Sequence, residues 1–200
     1  METKLLKNQL RSKIKLRQAD FVINDQMSFK IINTLLKFLN EFNCPFETLG
    51  LYVPLNEEPN IFLNDHLYHH CARERISWAL PYKDIEKCDL KFVGLGLIEQ
   101  KAMKDRKIFP EFKIENHQCV IPKVVVYPGL TFDLKGYRLG RGGGYYDKYF
   151  FNYPSVWKVG ICYEQNMSEQ LPFEEHDQMA DILIGENVYK VLSARAKEFF

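Results

Sequence analysis

Apolar residues are distributed along this chain in two patterns, one typical of helices and the other of buried strands. Spacings of three and four residues predict helices over 2–18, 25–42, 59–72, 145–151 and 187–199. Short β-rich runs, several of them ended by proline, predict strands over 48–53, 75–80, 90–93, 120–127, 157–163 and 182–184. This alternation is typical of a layered α/β fold with a mostly parallel central sheet. We therefore predict one domain over residues 1–200.

The stretch 120–127 is the richest in β-branched residues, and Pro122 interrupts it. A nearly continuous valine run is typical of a strand that is covered on both faces, as in a parallel sheet. Ligands of such sheets bind beyond the carboxyl ends of the strands. Because residues 56–58 follow one predicted strand and a glycine-rich segment follows another, we expect the two segments to meet at one edge.

The glycine-rich segment, residues 138–149, holds four of the eleven glycines within five positions. Without Cβ atoms, consecutive backbone N–H groups can curl around a phosphate. Arg138 and Arg141 add forked, charged donors that suit phosphate oxygens, and a helix that begins at Tyr145 points its N-terminus at the same anion. The spacing matches neither a Walker A motif nor G-x-G-x-x-G. We favour a phosphate-binding loop, and a flexible surface loop is the plainer alternative.

Composition and charge narrow the function classes. The longest apolar runs are far shorter than the ~20 residues of a membrane span, and no secretory signal is visible. Five scattered cysteines without a CxxC pair are typical of reduced thiols in a cytoplasmic protein. The net charge of +1 argues against bulk nucleic-acid binding, although residues 1–17 carry +5 and the remainder −4. We predict a monomer that binds neither nucleic acid nor membranes.

Two sets of side chains are candidates for binding a metal ion. Asp147, in a first helical turn, can hold a metal ion, and Asp177 can join it around Mg²⁺ together with substrate phosphates. Capping of a helix or turn explains Asp177 more simply. A histidine- and cysteine-rich patch lacks the glutamate of HExxH, so we do not favour zinc there; it comprises His66, His69, His70 and Cys71.

The glycine-rich segment and its approach carry a family resemblance. Residues 128–147, read as PGLTFDLKGYRLGRGGGYYD, resemble the signature PGLxFDxxGxRLGxGxGYYD of the 5-formyltetrahydrofolate cyclo-ligase (methenyltetrahydrofolate synthetase) family. Weaker matches occur in the expected order along the chain. They are Lys7–Arg11 for KxxLR, Glu58–Ile61 for the E-I-x-T segment, and His176-Asp177 with Asp181 for HDxxxD.

The resemblance implies an ATP- and Mg²⁺-dependent conversion of 5-formyltetrahydrofolate to 5,10-methenyltetrahydrofolate. In that reaction the formyl oxygen attacks the γ-phosphate of ATP to give an N5-iminium phosphate, and N10 then closes the ring as phosphate leaves. The family also implies a three-layer α/β/α fold similar to that of sugar-phosphate isomerases and CoA transferases. This reaction suits a protein that supplies mainly positioning and charge neutralisation.

The matching positions imply a set of site residues. Lys7 and Arg141 would be catalytic, and Asp147 and Asp177 would hold Mg²⁺. The folate substrate would contact Glu58 through its pterin, with Val53 and Tyr145 as walls, unless these two belong to the core. ATP would be bound by Lys7, Arg11, Arg138, Leu139, Gly140, Arg141, Gly142, Gly143, Gly144, Tyr145 and Tyr146.

The chain departs from the family pattern near the folate positions. Pro59 and Ile61 replace an apolar residue and a threonine, and Gly143 stands where many members carry lysine. Adjacent Glu57 and Glu58 leave the choice of pterin ligand open, although counting from the preceding strand favours Glu58. Two alternatives from other classes also stay open. They are a sugar-phosphate isomerase or CoA transferase on the same fold, and an RNA- or nucleotide-binding module.

Overall fold

A sheet of eight strands, flanked by helices, organises the described part of the chain. The structure is a computed structural model that describes residues 2–19, 25–55, 57–84, 87, 89–96, 99–101 and 118–200. Its helices are α1 (Glu2–Ala19), α2 (Asp25–Glu41), α3 (His66–Glu74), α4 (Tyr145–Asn152) and α5 (Ala194–Lys197). Its strands are β1 (Thr48–Gly50), β2 (Ser77–Asp84), β3 (Asp89–Gly94), β4 (Cys119–Val120), β5 (Val124–Pro128), β6 (Thr131–Phe132), β7 (Arg138–Leu139), β8 (Trp157–Ile161), β9 (Ile182–Ile184) and β10 (Tyr189–Val191).

The strand order confirms the predicted mostly parallel sheet. The order is β10-β9-β8-β5-β1-β2-β3-β4, while β6 and β7 form a separate antiparallel pair. The central strands β9, β8, β5, β1 and β2 run parallel. The edges are antiparallel, with β10 on one side and β3 and β4 on the other.

Strand β5 lies at the middle of the sheet and is buried throughout, as its valine run predicts. Because side chains alternate between faces, Val124 and Val126 belong to a core shared with α2 and α3, whereas Val125 and Tyr127 belong to a second core shared with α4. Helices therefore cover both faces of the sheet, in three layers. None of the described helices has the length and apolar character needed to cross a bilayer.

Two of the predicted helices are wrong in extent. The helix predicted over 59–72 begins only at His66, because the Asn60 side chain accepts from the N–H of Phe62 and the Asn64 side chain from that of His66. Such local side-chain bonds compete with a helix. The helix predicted over 187–199 is mostly absent, since β10 pairs with β9 and only the four-residue α5 follows.

Three predicted strands also end elsewhere. The strand predicted over 48–53 pairs only to Gly50, and the one predicted over 157–163 ends at Ile161. Strand β2 continues past Pro81 to Asp84. The backbone C=O of Ala79 accepts from the N–H of Leu51, just after the end of β1. Pro81, two residues further along β2, directs its backbone to the same side, where β1 no longer runs beside β2. The missing N–H of Pro81 therefore leaves no strand partner unsatisfied.

Candidate functional site

A cavity of about 880 Å³ opens at the carboxyl edge of the parallel strands. Its wall is built from the chain that leaves β1 and β5 and from the second half of β2, together with one face of α1 and the segment before β9. The structure thus brings together segments that lie far apart in the sequence. Of the residues predicted for the site, the wall contains Lys7, Arg11, Val53, Glu58, Arg138, Gly140–Asp147 and Asp177.

Leu139 is the predicted site residue that does not line the cavity. Its side chain is buried in the interior, and its backbone C=O accepts from the N–H of Leu130. A ligand contact of Leu139 would therefore have to use the backbone. Val53 and Tyr145 line the cavity, Val53 is exposed and Tyr145 is half-buried, so neither side chain is plain core.

The loop between β7 and α4 requires its glycines for conformational reasons. Gly142 has φ +102° and Gly144 has φ +64°, backbone angles that residues with a Cβ rarely adopt. At Gly143 a Cβ would stand 2.7 Å from the ring of Tyr145. The lysine that many family members carry at this position would therefore require the Tyr145 ring to move. The loop is exposed and leads directly into the N-terminus of α4, an arrangement suited to an anion.

Arg138 lies beneath this loop, in a buried position. Its guanidinium is 3.1 Å from Asp147 and stands over the rings of Tyr127 and Tyr146, with Cζ at 5.6 and 5.3 Å from the ring centroids. A Cβ at Gly140 would lie 2.5 Å from an Arg138 nitrogen, so the loop packs directly on the guanidinium. Arg138 thus packs beneath the loop, and its charge is balanced by the carboxylate of Asp147.

Arg141 lies on the exposed side of the same loop and joins it to the segment after β1. Its Nη2 atom is 2.6 Å from Glu57 and 3.5 Å from Glu58. The Glu58 side chain is 8% exposed and accepts from the N–H of Leu55. Burial raises the pKa of Glu58, although the Leu55 hydrogen bond and Arg141 oppose that rise. Glu58 is the buried glutamate that lines the cavity. Glu57 does not line the cavity and forms an ion pair with Arg141.

Helix α1 brings two cations to the cavity. The Lys7 ammonium, 7% exposed, contacts Asp177 at 2.5 Å and Glu174 at 2.9 Å. Burial alone would lower the pKa of Lys7, but the hydrogen bonds to these two carboxylates raise it above its ordinary value. Arg11 donates to the backbone C=O of Gly140 at 2.8 Å, so it binds α1 to the glycine loop.

The two predicted metal ligands lie in adjacent parts of the wall. The Asp147 carboxylate accepts from the backbone N–H of Gln178, the residue that follows Asp177. Asp177 also accepts from the N–H of Glu174, which confirms the turn-capping interpretation of this residue without removing its second oxygen from the cavity. Two carboxylates beside a phosphate-type loop fit the oxygen donors that Mg²⁺ takes together with a nucleotide.

The remaining part of the HDxxxD resemblance has a structural role. Asp181 does not line the cavity, and its carboxylate accepts from Arg195 at 2.5 Å and from the N–H of Lys158 at 2.9 Å. These bonds tie β8 and β9 to the chain end, and they lower the pKa of Asp181 against the effect of burial. At the histidine patch, no cluster of metal-ligating side chains forms within the described residues.

Sequence reasoning missed several residues of the wall. Glu174 reaches the cavity only because the segment before β9 folds back onto α1, and Tyr82 and Lys83 do so because β2 runs past Pro81. No local pattern in the sequence identifies Tyr82 or Lys83 as residues of the wall. The one available signal for Glu174 was its position three residues before Asp177, within the same turn.

The fold and the cavity define an α/β domain with a cavity at the carboxyl edge of its sheet whose lining suits an anionic ligand. Comparison with known proteins then specifies the family. Residues 6–186 match the model of the 5-formyltetrahydrofolate cyclo-ligase family. Because that match spans most of the chain, the protein belongs to this family of ligases.

Individual relatives agree with this assignment. The chain is 26% identical to a probable 5-formyltetrahydrofolate cyclo-ligase from Schizosaccharomyces pombe, over 90% of this chain and 95% of that protein. It is similar in structure to a 5,10-methenyltetrahydrofolate synthetase from Aquifex aeolicus, with a TM-score of 0.69, 26% identity, and 94% and 93% of the two chains covered. A 5,10-methenyltetrahydrofolate synthetase from Mycoplasma pneumoniae shares the fold, with a TM-score of 0.70, 22% identity, and 89% and 97% covered.

Proposed function

We propose that this chain closes 5-formyltetrahydrofolate to 5,10-methenyltetrahydrofolate, with ATP as co-substrate and Mg²⁺ as cofactor, as a cytoplasmic monomer. The observation that carries the proposal is the convergence of two different kinds of binding group in one cavity. A glycine loop with basic side chains suits a triphosphate, and the buried carboxylate of Glu58 suits the amino and ring N–H groups of a pterin.

The triphosphate would lie against the backbone N–H groups of the glycine loop. Lys7 would exchange Asp177, and Arg141 would exchange Glu57, for phosphate oxygens. Both cations would neutralise the charge that develops as the γ-phosphoryl group moves. Mg²⁺, held by Asp147 and Asp177, would supply further charge neutralisation to the phosphates. The buried Arg138 would keep the loop in the conformation that receives them.

Glu58 would orient the folate by accepting hydrogen bonds from its pterin, with Val53 and Tyr145 as walls of the cavity. In the first step the formyl oxygen bonds to the γ-phosphorus, and the bond between that phosphorus and the β–γ bridging oxygen breaks to release ADP. In the second step N10 attacks the formyl carbon, the C–O bond to phosphate breaks, and N10 loses its proton. Phosphorylation thus turns a poor leaving oxygen into phosphate, while the protein holds the partners in place.

The direct test follows the methenyl chromophore by absorbance after the protein is mixed with 5-formyltetrahydrofolate, ATP and Mg²⁺. We expect the chromophore to grow only when ATP is present. Bound ATP without any chromophore would mean that Pro59 and Ile61 have changed the substrate. Growth that is independent of ATP would overturn the mechanism.

A separate titration tests the metal ligands. Asp147→Asn should raise the Mg²⁺ concentration at half-maximal rate by about tenfold, because the amide has no charge to offer the cation. Asp65→Asn, the same change at a half-buried site outside the cavity, is the matched control. A Mg²⁺ titration that is the same in Asp147→Asn and wild type would remove Asp147 from the metal site.

A further inference from the structure

Among the described residues, helix α1 contributes no side chain to either apolar core, and its Leu10 and Ile14 are only half-buried. Of the α1 residues whose side chains the structure describes, Lys7 is the one that is buried. Leu5, Leu6 and Leu16 are exposed by 59%, 45% and 74%. Most helices in folded proteins are stabilised by burial of an apolar face. Helix α1 must therefore be held on the protein mainly by polar contacts.

Among the described residues, the polar contacts that join α1 to other elements lead into the cavity. Lys7 contacts Glu174 and Asp177, and Arg11 donates to the backbone C=O of Gly140. Lys4 and Asn8 also line the cavity, so this face of α1 forms part of its wall. The helix thus covers the proposed triphosphate site and is attached to the elements that would bind the triphosphate.

Glu174 differs from the other partner of Lys7. In the proposed function, Asp177 is a ligand of Mg²⁺, so it is shared between the metal and Lys7. Glu174 has no such second role, and its carboxylate, 34% exposed, lies at the rim of the cavity. Its bond to Lys7 can therefore persist when Asp177 and the phosphates bind other partners. The same residue uses its backbone N–H to fix Asp177, a contact that a side-chain substitution leaves in place.

We infer that α1 is an electrostatically held lid over the nucleotide site, and that Glu174 is the positioning residue that keeps Lys7 and the lid in the docked state. The docked position of α1 rests on the contacts of Lys7 and Arg11, whereas the role of Lys7 toward phosphate rests on the proposed function. Removal of the Glu174 charge should loosen the attachment of α1 and lower the affinity for ATP. The affinity for folate should change little.

Amide hydrogen exchange of the free protein tests the docked lid without reference to catalysis. In Glu174→Gln, exchange across α1 should be about fivefold faster than in wild type, on the scale of one partly exposed ion pair. Glu174→Asp should restore much of the protection, because the charge returns on a shorter side chain. Glu175→Gln is the matched control: it removes the same charge at the next residue, which is exposed and lies outside the cavity wall.

Salt provides an independent arm of the same experiment. Raising KCl from about 0.05 M to about 0.5 M should speed exchange in α1 of the wild type and should have less effect in Glu174→Gln, because screening weakens exposed ion pairs. Exchange in β5 should stay unchanged in both proteins. If α1 is equally protected in all variants and at both salt concentrations, α1 is not held by these ion pairs and the inference is wrong.

Kinetics then separate positioning from general damage. Glu174→Gln should raise the KM for ATP by about tenfold, with kcat and the KM for folate within about twofold of wild type, and Glu174→Asp should recover most of the loss. An equal loss for both substrates would contradict the positioning role. If the wild type forms no methenyl product at all, the proposed function fails, while the exchange experiment still decides whether the lid exists.

Discussion

The two arginines of the glycine-rich segment are three residues apart and have opposite surroundings. The side chain of Arg138 is 9% exposed, is paired with Asp147, itself 15% exposed, and stands over two tyrosine rings. The side chain of Arg141 is 39% exposed and paired with Glu57, which is 28% exposed. The inner arginine therefore belongs to the framework of the site, and the outer arginine is free to change partners when a ligand arrives.

A basic motif therefore does not by itself identify which of its arginines contacts the ligand. A charge that is buried with one carboxylate is costly to move, because leaving either partner unpaired carries a desolvation penalty. An exposed pair is worth little and can be exchanged for phosphate at small cost. From burial we therefore expect Arg138 to stabilise the loop and Arg141 to be the arginine that contacts the ligand.

The largest expected effect is on stability and distinguishes the two residues directly. Arg138→Met leaves the Asp147 carboxylate without its cation and should lower the free energy of unfolding by about 3 kcal/mol. Arg141→Met should change it by less than about 1 kcal/mol. Urea unfolding of both variants beside wild type measures the contrast. Equal losses would mean that the two arginines do not differ as their exposures indicate.

The next effect is on turnover. Arg141→Ala should lower kcat by about 10²-fold, the scale of losing one donor to the transition state, with the fold intact. The methenyl absorbance assay under saturating substrates measures it. Arg73→Ala, which removes an exposed arginine paired with Glu74 outside the cavity, is the control for loss of a surface charge. Unchanged turnover in Arg141→Ala would take this residue out of the site.

A smaller effect concerns the carboxylates that share Arg141. Glu58→Gln should raise the KM for folate by about tenfold or more, because a charged acceptor for the pterin is lost, and should leave the KM for ATP nearly unchanged. The raised pKa of Glu58 adds a pH dependence. Folate binding should be present above that pKa and fall as pH decreases through it, since the protonated carboxyl accepts fewer hydrogen bonds.

Glu58→Gln should remove this pH dependence, which steady-state kinetics across the acidic range would show. If the wild type and the variant have parallel pH profiles, Glu58 is not the titrating group. If Glu57→Gln weakens folate and Glu58→Gln does not, the pterin ligand is the neighbouring residue.

The smallest expected effect tests the exposed pair. Glu57→Gln breaks the 2.6 Å contact to Arg141 and should change the free energy of unfolding by less than about 1 kcal/mol, since the pair is solvated. Turnover should stay within about twofold, because the phosphates and not Glu57 would hold Arg141 during reaction. A large loss of turnover would show that Glu57 positions Arg141 during reaction.

The elements that the sequence predicted well are those in which local pattern and burial agree. The apolar stripe of α2 and the short helix α4 appear close to their predicted bounds. The valine run forms a buried strand as predicted, but the strand predicted over 120–127 is divided into β4 and β5. The glycines that define the loop could also be recognised, because a backbone with positive φ requires them wherever the loop lies. These properties depend on the residue and its near neighbours.

Other features depended on contacts between distant segments. The residues around Tyr189 have a helix-like pattern, yet they form β10 because β9 offers a strand edge and a core to cover. Likewise, Arg138 and Arg141 are indistinguishable in the sequence, and only the packing of Tyr127 and Tyr146 buries one of them. Local residue pattern was sufficient for those elements in which pattern and burial agree, and for the residues of the loop. The tertiary structure decided burial, and with it the partner and the availability of each charge, because desolvation depends on what long-range folding places around a group.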